Sequence, residues 1–91
     1  MVVVCYDISD DKLRRKFSKF ISKFGYRIQY SIFKIDNSSR ILNNIFLEIK
    51  GVFEKQFGQQ DSVIVIKIPE NCETQRFGYA KNEEEELIII K

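Results

Sequence analysis

The stretch VVVCYDISDDKLRRKFSKFISKFGYRIQYSIFKI, residues 2–35, changes its hydrophobic period twice, and those two changes decide the fold. It opens on a largely apolar run in which Val2, Val3, Val4 and Tyr6 favour extended backbone, which predicts a strand over residues 1–7. Ser9, Asp10 and Asp11 then supply an N-cap and a negatively charged first turn. Leu13, Phe17, Phe20, Ile21 and Phe24 follow at helical spacing and make one apolar face. Gly25 is expected to end that helix as its C-terminal cap. Beyond it the period becomes two: Arg27, Gln29, Ser31 and Phe33 fall on one face, Ile28, Tyr30 and Ile32 on the other. Residues 26–35 read either as one bent strand or as a hairpin.

Working outward, Asp36, Asn37, Ser38 and Ser39 are turn chemistry leading to a second N-cap. A second helix is expected to run to about Phe57, with Leu42, Ile45, Phe46, Ile49, Phe53 and Phe57 on its apolar face and Gly58 at the C′ position. SVIVIKI at 62–68 is a further strand, closed by Pro69. Residues 76–80 are expected to form a short strand, and residues 87–90 another after the acidic run 83–86. Two amphipathic helices against one face of an antiparallel sheet give an α+β chain with the split βαβ, ferredoxin-like layout. The other sheet face is then bare, and on so small a domain a second copy is expected to cover it. The division is a domain over residues 1–80 and a tail over 81–91.

Ninety-one residues allow about 60–65% of the unfolded surface to be buried. Hydrophobic residues at 44%, with eight Phe and four Tyr, suffice for a core. No apolar run approaches the ~18–20 residues of a membrane span, and no secretory leader is recognisable, so a cytoplasmic protein without membrane contact is expected. Cys5 and Cys72 lie far apart and form no ligand pair, which agrees with a reducing compartment. The absence of histidine removes imidazole bases, His-type zinc sites and Ser-His or Cys-His nucleophiles. A metal would be held by oxygen, which favours Mg²⁺, with Mn²⁺ as the alternative. Four unclustered glycines offer no loop for a small-molecule substrate.

The net charge of +2 conceals a strong asymmetry. Between Lys12 and Arg40 nine cationic side chains face Asp36 alone, a surplus of eight. Lys12, Arg15, Lys16, Lys19 and Lys23 recur at three- and four-residue intervals opposite the apolar face of the first helix. They form a stripe about 16 Å long at ~1.5 Å rise per residue. An ordinary solvated face mixes charges of both signs; this one carries no acid, which points to a polyanionic partner such as the backbone of double-stranded DNA.

The first third of the chain resembles the smaller of the two core CRISPR adaptation proteins, the family first described as an endoribonuclease and partner of the adaptation integrase. The resemblance rests on Tyr6-Asp7-Ile8, on Asp10-Asp11, on Leu13-Arg14-Arg15, and on the run from Gly25 through Tyr26, Arg27, Ile28, Gln29, Tyr30, Ser31 and Ile32 to Phe33. It implies a ferredoxin-like homodimer whose C-terminal strand packs on the partner subunit's sheet, which bridges two integrase dimers and supports a duplex DNA fragment. Some members are also described as metal-dependent nucleases on RNA or DNA.

Carried onto this sequence, the resemblance makes Asp7 the candidate catalytic and metal-ligating residue, two copies sharing one Mg²⁺ across the dimer; otherwise Asp7 pairs with an arginine or caps a turn. Arg14 and Arg27 match positions associated with the active-site region or nucleic-acid contact; the alternative for either is to brace a carboxylate, for Arg14 that of Asp7. Lys16 stands where the family often carries Arg, which keeps the charge and loses the planar fork. Phe33, in a Ser-Ile-Phe version of the family's Ser-Val-Phe, is assigned to packing in the core or the dimer interface. Leu87, Ile88, Ile89 and Ile90 are assigned to an interface with the partner subunit or the integrase. The leading reading is a dimeric DNA-binding scaffold of spacer acquisition. The alternatives are a Mg²⁺-dependent endonuclease using Asp7, a toxin-type ribonuclease of related fold, and a ligand-binding regulatory domain.

Overall fold

Alternation along β1 (Val2–Asp7) sends Val2, Val4 and Tyr6 to one face of a sheet, where all three are buried. The computed structural model, which describes residues 1–78, places both helices on that face. After β1 come α1 (Asp11–Ile21), β2 (Gly25–Gln29), β3 (Ile32–Ile35), α2 (Ser39–Glu48) and β4 (Ser62–Lys67). The sheet order is β2-β3-β1-β4 with every neighbouring pair antiparallel, which is the ferredoxin-like arrangement. β1 is central: Val4 lies opposite Phe33 of β3 and Val65 of β4.

Between the sheet and the helices lies an aromatic core. Phe17 of α1 meets Tyr6 edge-on at 5.0 Å and Phe53 at 5.1 Å, and Phe20 packs on Phe53 at 5.2 Å. Such ring pairs add to the transfer free energy of burying their area. Leu13, Ile21, Leu42 and Ile45 complete the layer.

Several local expectations are corrected. Gly25 does not cap α1 in the left-handed region: a 3₁₀ turn over Ser22–Phe24 closes the helix, and Gly25, at φ 177°, is extended backbone that opens β2. It is required for a different reason, since a Cβ there would lie 1.9 Å from the Lys34 carbonyl oxygen. Residues 26–35 are a hairpin, and a bulge at Ile28 breaks the simple alternation: Arg27 pairs with Phe33, but Gln29 pairs with Ile32. The second helix reaches Gln56, through a π turn over Ile49–Phe53 and a 3₁₀ turn over Glu54–Gln56. Its apolar residues recur every four positions, which drifts by about 40° per turn against a 3.6-residue helix. The wider π turn takes up that drift and keeps Phe53 buried. Phe46, assigned to the apolar face, is exposed instead. Gly58 is not in the left-handed region either. Arg76, Phe77 and Gly78 are not in a strand, and the remainder of the 76–80 segment, the acidic run and the 87–90 strand lie outside the described residues.

The face of the sheet away from the helices carries Val3 and Cys5 of β1, Ile32 and Lys34 of β3, and Ile64 and Ile66 of β4. Ile64 and Ile66 are 56% and 43% exposed. Arg76, after β4, reaches the opposite edge strand and donates from Nη2 to the Ile28 carbonyl oxygen at 3.2 Å.

Candidate nucleic-acid interface

The start of α1 is set by Asp10, whose Oδ2 accepts from the Leu13 amide at 2.8 Å. With the register so fixed, Leu13, Phe17 and Ile21 turn into the core and Lys12, Arg15, Lys16 and Lys19 face solvent, with Lys23 following in the 3₁₀ turn. All five cations of the expected stripe are exposed.

Arg14 and Arg27 differ from these: both are half-buried and held. Arg14 donates from Nη1 to the Ile8 carbonyl oxygen at 3.1 Å and pairs through Nη2 with the Asp11 carboxylate. The hydrogen bond that Arg14 donates to the Asp11 carboxylate is the main cause of its raised guanidinium pKa. Arg14 therefore braces a carboxylate, the alternative reading of this residue, but that of Asp11, three residues away on the same helix, rather than that of Asp7. Arg27 reaches across from β2 to α1, donating to Ser18 Oγ at 2.6 Å, and lies 5.1 Å from the centroid of the Phe33 ring. Arg14, Arg15 and Arg27 line a cleft of about 310 Å³ between α1 and the hairpin, together with Asp11, Tyr6 and the exposed Tyr30.

The model of the CRISPR associated protein Cas2 family matches residues 1–76. The chain belongs to the Cas2 family. Among curated relatives, CRISPR-associated endoribonuclease Cas2 4 of Rhodospirillum rubrum is 28% identical over 74 residues, covering 81% of this chain and 57% of the relative. The matched segments span 46% to 65% of the lengths of the curated relatives. Among solved structures, a hypothetical protein from Thermus thermophilus superposes with a TM-score of 0.70 at 23% identity, covering 90% of this chain and 95% of that one. Cas2 of Streptococcus pyogenes gives 0.65 at 21% identity, covering 82% and 98%. At these identities the likeness concerns the fold.

Within this Cas2 chain Asp7 ends β1, opposite Ser62 of β4, and is exposed. It has no side-chain partner among the described residues. The pleat directs it to the sheet face away from the helices, whereas the cationic stripe lies on the outer side of α1, so the sheet separates the two. Among the described residues no three His, Cys, Asp or Glu side chains are gathered in a metal-binding group. Mg²⁺ keeps several waters and takes one or two carboxylates, and two copies of Asp7 would supply two.

Phe33 is 1% exposed, beneath the Arg27 guanidinium and 6.2 Å from the Tyr6 ring. It packs in the core of the subunit, the first of its two assigned places, and not at an interface, since its ring keeps no area for a partner. Leu87, Ile88, Ile89 and Ile90 lie outside the described residues. No helix among the described residues is long and apolar enough to cross a membrane.

A residue that sequence reasoning missed is Asp61. Its Oδ1 accepts from the Ser9 amide at 2.9 Å and from Ser9 Oγ at 3.0 Å, and its Oδ2 from the Gly58 amide at 2.7 Å. The backbone bonds from Ser9 and Gly58 hold its pKa below the usual carboxylate value. It ties the loop after Asp7 to the turn before β4.

Proposed function

We propose that this chain is a dimeric DNA-binding scaffold of CRISPR spacer acquisition, supporting duplex DNA on the basic side of α1 and bridging dimers of the adaptation integrase in the cytoplasm. The observation that carries the reading is the line of Lys12, Arg15, Lys16 and Lys19 on one side of α1, continued by Lys23 in the 3₁₀ turn, all exposed, with the other side of the helix locked in the core. Such a line binds phosphates by counterion release and positions a duplex without reading its sequence. The half-exposed Ile64 and Ile66 on the open sheet face support a homodimer, because a small domain gains by covering them. Leu87, Ile88, Ile89 and Ile90 would extend that contact to the partner subunit or the integrase.

A second reading is a Mg²⁺-dependent endonuclease, or with Mn²⁺ in its place, acting on RNA or DNA. It is favoured by Asp7, exposed and without a side-chain partner among the described residues, and by the endoribonuclease in the relatives' names. In it, Asp7 from each of two subunits would hold the cation, which supplies activation of a water toward a phosphodiester. The position of Asp7 across the sheet from the stripe weighs toward the scaffold.

The test is integration of a short duplex by the cognate integrase with wild-type protein, with Asp7→Asn, and with no added chain. The scaffold reading expects undiminished integration with the variant and failure on omission. A drop of about a hundredfold or more with Asp7→Asn, while duplex binding survives, would put the carboxylate in the reaction and favour the second reading.

A further inference from the structure

Among the described residues, the cleft between α1 and the β2–β3 hairpin is lined by three guanidinium groups and one carboxylate, that of Asp11. The members of the Arg14–Asp11 pair are unequally fixed. The Arg14 side chain is 29% exposed and tied by its second arm to the Ile8 carbonyl, whereas Asp11 is 75% exposed. The cation is seated and the anion is not. Asp11 is also not the cap of α1, since Asp10 fills that place, so its carboxylate can leave Arg14 with the helix start intact.

A guanidinium fork accepts a phosphate in the same geometry as a carboxylate. An exposed pair at this spacing is weak and yields readily to an anion that meets additional cations. Those cations are present: Arg15 is exposed beside the cleft and Arg27 enters it from β2.

We propose that Asp11 occupies on Arg14 the place of a phosphodiester, and that a nucleic-acid phosphate docks in this cleft by displacing the Asp11 carboxylate. The inference rests on the reading of the chain as a nucleic-acid binder and adds to it an exchange site with a resident competitor. Asp11 then sets how strong an anion the cleft admits: a single weakly held ion does not displace it, and a phosphate delivered by a backbone already lying on the α1 stripe does.

The experiment is a double-mutant cycle on duplex binding at low salt, by fluorescence anisotropy, with wild type, Asp11→Asn, Arg14→Gln and the double variant. Asp11→Asn is expected to bind about two- to fivefold more tightly, the equivalent of releasing one exposed ion pair. Arg14→Gln is expected to bind more weakly, and on that background Asp11→Asn is expected to change nothing. No gain for Asp11→Asn, or a gain of the same size on the Arg14→Gln background, would overturn the proposal, the latter being ordinary charge removal. Unfolding curves establish that the four proteins are folded. If no variant binds the duplex, the same cycle is run by calorimetry with pyrophosphate. A gain confined to the Arg14 background would keep the exchange site and remove the DNA reading, while no gain would remove both.

Discussion

Asp61 shows how much one half-buried carboxylate can organise. Three donors from two loops converge on it, and their cost to its protonated form is what lowers its pKa. A folded-state pKa below the unfolded one means stability that is present at neutral pH and lost as pH falls from the ordinary carboxylate value, about 4, through the lowered one. Asp61→Asn should therefore unfold at lower denaturant concentration than wild type at pH 7, and the gap should close on acidification below about pH 4. A gap independent of pH would mean that the side chain acts by shape alone. This contact is not legible in the sequence, because its partner Ser9 is 52 positions away. The Asp10 cap is legible because it spans three. The same distinction explains Arg14: proximity to Asp7 is a matter of tertiary placement, whereas Asp11 lies one helical turn away in the chain.

The helices, the strands and their order can be read from apolar spacing, since burial against one face imposes periods of two and 3.6. The irregularities inside them cannot. The bulge at Ile28 and the π turn at Ile49–Phe53 are answers to packing between elements, and residue type records them only faintly. Glycine illustrates the difference. Gly25 and Gly51 look alike as candidates for breaking structure, yet a Cβ at Gly25 would strike the Lys34 carbonyl of the neighbouring strand, and one at Gly51 would meet nothing within 4 Å. Gly25→Ala is expected to cost about 3 kcal/mol or more, at the top of the range for forced overpacking. Gly51→Ala should be neutral or stabilising by up to about 1 kcal/mol. Chemical denaturation of the two variants measures both, and equal effects would contradict the close approach of β2 to β3.

The layering of the protein as a unit separates two chemistries: cations on the outer side of α1, and Asp7 with the half-exposed isoleucines on the open sheet. The candidate stripe is legible because it lies on a single helix; its separation from Asp7 is a property of the assembled layers. For a dimer through the open face, Ile64→Lys should turn a dimer into a monomer in sedimentation, while thermal unfolding stays cooperative because Ile64 is outside the core. A dimer unaffected by that charge would have to form elsewhere. The contact from Arg76 to the Ile28 carbonyl has a consequence of another kind. β2, one lateral boundary of the sheet, is bulged and held there by the chain's own later residues, while β4, the other, is regular along its whole length. Bulges and side chains laid on an edge discourage a further strand from adding. Among the described residues the sheet thus resembles a growing polymer with one end capped: β2 is closed to lateral extension and β4 is not, and two copies joined at β4 would present capped ends, so that growth would stop at a pair and not run on into a fibre.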